Sequence, residues 1–274
     1  MGTYALWPRA AGGLRLGPFV GFRVSTDGGL TWRHNDTRTA AGRANLFGEP
    51  GCENTTYCPN APIRFGAPHF VDFGQNMAAS PDGRAYLIGH GCLNVSTSRC
   101  DWQQGDSVFL ARTRGPPAPA TINMRESWEF FAGGDAWTSD LLQAQPLFQW
   151  AVPDGGHTGI VTMTYDAALG RFLTAVSTGS LTDHKNGSAF DSYVLESPSV
   201  TGPFAMAAYL QRFGAQAYFL NFVSKFSQVT ALDGHTAMLA YSADYTFGPA
   251  RPVPSAGRYG LVLQEVSLAL AKTK

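Results

Sequence analysis

Ser25-Thr26-Asp27-Gly28-Gly29-Leu30-Thr31-Trp32 fits Ser-x-Asp-x-Gly-x-Thr-Trp at all five fixed positions, and its chemistry is that of a tight hairpin. Ser25 and Asp27 carry short oxygen-bearing side chains that can bond turn backbone. Gly28 and Gly29 supply the positive-φ positions that a sharp reversal requires, and Trp32 packs its ring beneath the turn. The flanking segments 19–24 and 30–33 read as the two strands that this hairpin joins.

Three downstream segments repeat one pattern: an apolar strand, a turn with Asp or Gly, a second apolar strand, a longer loop, then a third strand ending in a polar turn. The first comprises 67–73, 84–89 and 107–113, with 128–131 as a short fourth strand. The second comprises 158–165, 171–176 and 192–197, closed by 204–210. The third comprises 217–226, 236–241 and 259–268. Enrichment in Val, Ile, Phe, Tyr and Thr supports strands, and a four-stranded unit recurring at this spacing is the signature of an all-β propeller of antiparallel blades. One domain over 1–274 is expected, with a partial blade in 1–34 and blades near 65–132, 157–210 and 216–270. Four blades is the smallest common ring, so the chain reads as short at its N-terminus, with about five blades expected in the complete molecule.

Composition agrees. The chain has 274 residues, 44% hydrophobic and 12% aromatic, enough for a sizeable core, and its 31 glycines and 17 prolines punctuate short apolar runs. Twenty basic and 20 acidic residues balance without long runs of either sign, which argues against a nucleic-acid partner. No run of 18 apolar residues marks a membrane span, and the first residues lack the basic and apolar regions of a signal peptide. Secretion is expected instead from four Asn-x-Ser/Thr sequons, at Asn35, Asn54, Asn94 and Asn186, all in polar, turn-like sequence. Cys52, Cys58, Cys92 and Cys100 are even in number and lie in loop-like stretches, which suits disulfides in an oxidising compartment, with three pairings open. The competing zinc reading is disfavoured because the Cys-x5-Cys and Cys-x7-Cys spacings exceed the usual ligand knuckles, and no metal site is assigned.

The Ser25, Asp27, Gly29, Thr31, Trp32 motif resembles the Asp box of sialidases and other β-propeller proteins. In that family the box closes the hairpin between third and fourth strands, on the face away from substrate. Phe65-Gly66-Ala67-Pro68-His69 with Ala85-Tyr86-Leu87-Ile88-Gly89-His90-Gly91, and Tyr193-Val194-Leu195-Glu196-Ser197 followed by Thr201-Gly202-Pro203-Phe204, resemble blades of five-bladed arabinanase- and levansucrase-type glycoside hydrolases. No residue-by-residue match to that group's carboxylates is found. A sialidase is less well supported: one box is present, and Arg112, Arg212 and Arg258 are scattered rather than set in a recognisable arginine triad. No cofactor is expected beyond a structural calcium by analogy.

If the box marks the hairpin rim, the loops 35–66, 89–106, 151–157, 177–191, 211–216 and 242–258 share the opposite, substrate face, where all cysteines and sequons fall. Glycoside hydrolysis needs two carboxyls, one acid and one base or nucleophile. Asp106 and Asp191 are the candidates, since each begins a third strand after a long loop on that face. His69, His157, Gln216 and Tyr218 begin first strands and point at the channel. His90, Asp183, His184, Asp244, Arg258 and Tyr259 could join them as loop residues, and of these His90 and Arg258 are taken as substrate-binding. An Asp just before a strand is also a common turn former or backbone cap, and a histidine beside Pro68 or Gly156 suits a core or loop contact equally well. Asp72 lies toward the other rim, and Asp82, Asp166 and Asp233 read as hairpin residues. The expected function is hydrolysis of a poly- or oligosaccharide. The alternatives are a non-catalytic glycan- or protein-binding propeller, or a polysaccharide lyase drawing on His69, His157, Tyr218 and Lys225.

Overall fold

A computed structural model describes residues 21–34, 46–47, 64–93, 105–150, 160–178, 190–214, 217–226, 235–244 and 259–269. Every strand ladder in it is antiparallel, with only short 3-10 turns besides. The chain divides into two compact units, Met1–Phe70 with Pro81–Gly159, and Val71–Ser80 with Ile160–Lys274.

In the first unit, β1 (Arg23–Val24) pairs with β2 (Arg33–His34), Arg23 opposite His34 and Val24 opposite Arg33. These strands are shorter than the sequence pattern suggests, because the turn's own hydrogen bonds absorb the intervening residues. Ser25 Oγ accepts from the Gly29 amide at 2.7 Å, and Asp27 Oδ1 accepts from the Thr31 amide at 2.9 Å. Thr31 Oγ1 donates to Asp27 Oδ2 at 2.5 Å, and Trp32 Nε1 donates to the Gly29 carbonyl at 3.0 Å. Gly28 and Gly29 adopt φ of 71° and 93°, where a side chain would be strained.

The larger sheet of this unit runs β3 (Gly66–Phe70), β4 (Tyr86–Gly91), β5 (Ser107–Thr113), β6 (Trp128–Phe131) and β7 (Trp137–Thr138) in neighbour order. The outer edge of β5 is shared: Ala111, Arg112 and Thr113 pair with β6, while Ser107 and Val108 pair with β8 (Phe148–Gln149). All six residues of β4 are buried, which explains an apolar run without alternation. Phe22, Phe47, Phe65, Phe109, Trp128 and Phe130 form an aromatic core, with Phe22 stacked on Trp128 at 5.4 Å. Buried Asn123 acts as a surrogate strand: its Oδ1 accepts from the Phe22 amide and its Nδ2 donates to the Phe22 carbonyl, both at 2.7 Å. Both backbone groups of Phe22 are thereby satisfied in the interior.

In the second unit, β9 (Ile160–Asp166), β10 (Arg171–Thr178), β11 (Phe190–Ser197) and β12 (Ala205–Phe213) form a four-stranded meander. Beyond them β13 (Tyr218–Phe222), β14 (His235–Asp244) and β15 (Tyr259–Leu268) form a three-stranded one. The first strands of the two sheets are joined by threonine hydroxyls of β9: Thr162 donates to the Leu220 carbonyl at 2.5 Å and Thr164 to the Phe222 carbonyl at 2.7 Å. Leu173, Ala175, Val194, Leu220, Leu239 and Tyr241 belong to the core that the two sheets share. Asp72 pairs with β9 through backbone, and its carboxylate accepts from the Gly74 amide at 2.8 Å and the Ser224 amide at 3.2 Å. Asp166, expected in the hairpin turn, is the last residue of β9; its carboxylate accepts from the Ala168 and Leu169 amides at 3.0 Å, and its other oxygen lies 2.6 Å from His235 Nε2 in a buried pair. β15 holds the third place in its sheet with Leu261 and Leu263 exposed, whereas β11, third in its own and flanked by β12, is largely buried.

Candidate functional site

Strand direction sorts the side chains of each sheet by end. β4 starts at Tyr86, beside the Asp82 turn, and finishes at His90 and Gly91, next to the start of β5. Asp106 stands at that second end. Its amide donates to the Gly91 carbonyl at 2.9 Å and its carbonyl accepts from Trp150 at 2.8 Å. Oδ1 accepts from Ser107 Oγ at 2.6 Å and from the Leu93 amide at 3.2 Å. Gly105 is required beside it, because a Cβ there would collide with the Gly91 carbonyl.

His90 departs from expectation: it is a fully buried residue of β4, not a loop residue. Its ring lies against Gly66, where a Cβ would approach Nε2 to 2.7 Å. His69 is half-buried in β3, opposite Ile88. Cys92, next to this strand end, is buried and disulfide-bonded.

Asp191, the second residue of β11, occupies the equivalent place in the second unit. The register slips between Phe190 and Ser192, so that β12 bulges opposite Asp191 and Arg212 takes φ of 49°. Asp191 pins that bulge: Oδ1 accepts from the Arg212 amide and Oδ2 from the Tyr209 hydroxyl, both at 2.8 Å. The bond to Asp191 pushes the Tyr209 hydroxyl up to about 12, since its proton is held by a carboxylate. Tyr209 stacks on its cross-strand partner Tyr193 at 4.9 Å, with the rings 23° apart. Burial, with the Asp191 charge adding to it, also raises Tyr193.

The first strands carry matching irregularities. β3 slips register between Gly66 and His69 with Ala67 at φ of 42°, and β13 slips between Tyr218 and Asn221 with Phe219 at φ of 53°. Left-handed backbone at non-glycine residues is uncommon and costs about 1–2 kcal/mol each. It persists where surrounding structure holds it.

At the other end of the first unit's sheet lies a network that sequence reading missed. Glu129 Oε1 accepts from Arg84 Nη1 and Arg112 Nε, each at 2.7 Å, while both arginines reach Asp82 Oδ2 at 3.4 Å. Tyr86 donates to Asp82 at 2.9 Å, and Arg112 lies over the Trp137 ring at 3.8 Å. Burial raises the Tyr86 phenol. The charges cancel and no group is left over, so this is a brace for the hairpin end. Glu129, at its centre, lies 17 and 45 residues from its two arginine partners, too far for a local signal.

His157, Gln216, Arg258, Asp183, His184 and Asp233 lie outside the described residues, as do Cys52, Cys58, Cys100, Asn35, Asn54, Asn94 and Asn186 and the side chains of Tyr218 and Asp244. Among the described residues no group of three His, Cys, Asp or Glu could hold a metal, and no helix is long and apolar enough to cross a membrane.

No family model matches the chain, and no curated protein matches it. One solved structure is similar, an exo-β-1,3-galactanase from Phanerochaete chrysosporium with galactose, at 10% identity and a TM-score of 0.38. The likeness covers 66% of this chain and 33% of that one, so this chain spans about a third of that enzyme's length. It is too slight to carry a residue role or a reaction across.

Proposed function

We propose that the protein is a secreted, carbohydrate-active β-propeller that hydrolyses glycosidic bonds of a poly- or oligosaccharide, with Asp106 and Asp191 as its acid and base at the channel mouth. The observation that carries this reading is the equivalence of the two carboxylates. Each stands at the head of a third strand, and each is fixed by two hydrogen bonds. Acid–base work on a glycosidic bond requires two carboxyls held in place before substrate arrives. The positive-φ bulge at Ala67 lies at the same end of its sheet as Asp106, and bulges re-aim side chains beside binding sites. His69, His157, Gln216, Tyr218 and Arg258 would line it, with His90 as a buried support beneath Gly66. The meanders would be blades of a propeller.

A second reading, a propeller that binds glycans without cleaving them, is favoured by the fact that both Asp191 oxygens already accept protein hydrogen bonds. Incubation of the purified protein with a panel of soluble polysaccharides separates the readings. New reducing ends support hydrolysis. Binding without them overturns it in favour of the binding platform, and an unsaturated, ultraviolet-absorbing product overturns it in favour of a lyase.

A further inference from the structure

We propose that Tyr209, backed by Tyr193 and anchored by Asp191, is the stacking platform of a sugar-binding site on the face of β12. The inference rests on the carbohydrate-active reading for the class of ligand, and on the local geometry for the place. Tyr209 is 47% exposed, yet its ring is held on two sides, by the Tyr193 ring at 4.9 Å and by the Asp191 carboxylate at its hydroxyl. A ring fixed in advance loses little rotamer freedom on binding, and aromatic side chains offer much contact area for few rotatable bonds. Its neighbours two residues away along β12, Ala207 and Gln211, are exposed, one a bare methyl and the other an amide able to donate and accept. Among the described residues, about half of the Tyr209 surface remains open to a flat ligand.

The hydrogen bond to Asp191 also sets what the hydroxyl presents. With its proton committed to the carboxylate and a further hydrogen bond shared with the Tyr193 hydroxyl, the Tyr209 tip is held in one orientation and leaves the ring face as the contact surface. An apolar ring face fixed in this way matches a pyranose or furanose, whose C–H face meets the negative face of the aromatic ring. Holding this arrangement costs a left-handed Arg212, whose amide Asp191 caps. Strained backbone retained beside an exposed aromatic is the mark of a site with a use.

The test uses the whole protein with carbon-13-labelled tyrosine rings, the Tyr209 signal being assigned from its loss in Tyr209→Phe. Four probes are titrated separately: linear hexasaccharides of β-1,4-glucan, β-1,3-glucan, β-1,4-xylan and α-1,5-arabinan. At least one is expected to shift the Tyr209 ring saturably. Tyr209→Ala is expected to weaken that binding about tenfold, as loss of an aromatic stack implies, and Tyr209→Phe by less than about threefold. Resonances of the other tyrosines report that each variant is folded. The proposal is overturned if none of the four shifts Tyr209 saturably, if a folded Tyr209→Ala binds like the unaltered protein, or if a proline-rich peptide shifts Tyr209 and no sugar does. Reducing ends are assayed in the same tubes. Saturable shifts without cleavage leave this site standing and remove the hydrolase, whereas cleavage without a Tyr209 response does the reverse.

Discussion

Asp27 shows how one side chain fixes a local conformation. Bonds from the Thr31 hydroxyl and amide, then from Ser25, lower its carboxyl from an ordinary 3.8 to about 2. A folded-state value below the unfolded one means that the carboxylate's contribution is complete above about pH 4 and is lost as pH falls through about 2. Carbon-detected titration of Asp27 should therefore give a midpoint near 2, and Thr31→Val should move it up toward 3.8. Tyr209 offers the converse case. Its hydroxyl sits at about 12 chiefly because Asp191 holds the proton, so Asp191→Asn should bring it down toward 10 in an ultraviolet or NMR titration. A midpoint still near 12 in the variant would mean that the hydrogen bond is not the cause.

At the scale of elements, the strands were legible where composition and punctuation agree. The expected strand 259–268 coincides with β15, and 128–131 with β6. Deviations have physical sources. β12 runs on to Phe213 and β14 to Asp244 because ladder pairing with β11 and β15 continues past the apolar runs. β1 is cut to Arg23–Val24, and Phe22 instead pairs with the Asn123 side chain 101 residues away. No local pattern carries such a contact. Asp106 and Asp191 were legible as strand starts, but their partners were not, since the bulge that brings the Arg212 amide to Asp191 is a property of pairing. Asp166 reads as a turn residue and is instead the last residue of β9, whose carboxylate caps the turn and also holds His235 at the start of β14. Because the pair is buried, removing one member strands the other in the interior. His235→Ala should destabilise the protein by about 3–5 kcal/mol in chemical denaturation, far more than an exposed ion pair would. A loss under about 1 kcal/mol would show that the pair is not buried in solution.

Among the described residues, one up-and-down strand order appears three times, and two of its occurrences put an aspartate at the head of the third strand. The repeat was readable because each meander is built from contiguous sequence. The polar segments between the apolar runs carry no periodicity, so their sequence predicts no geometry. The proposed division of labour sets the hairpin ends, braced by Asp27 in one turn and by Glu129 with Arg84 and Arg112 in another, apart from the strand ends that carry Asp106 and Asp191, the proposed acid and base.

The most direct test of that division is the rate of reducing-end release by Asp106→Asn, Asp191→Asn and the double variant on whichever polysaccharide the unaltered protein cleaves. Each single variant should fall by about 100- to 10,000-fold, as loss of an acid or base implies, and the double should fall little further because the two act as a unit. Either folded single variant cleaving at the unaltered rate would contradict the account.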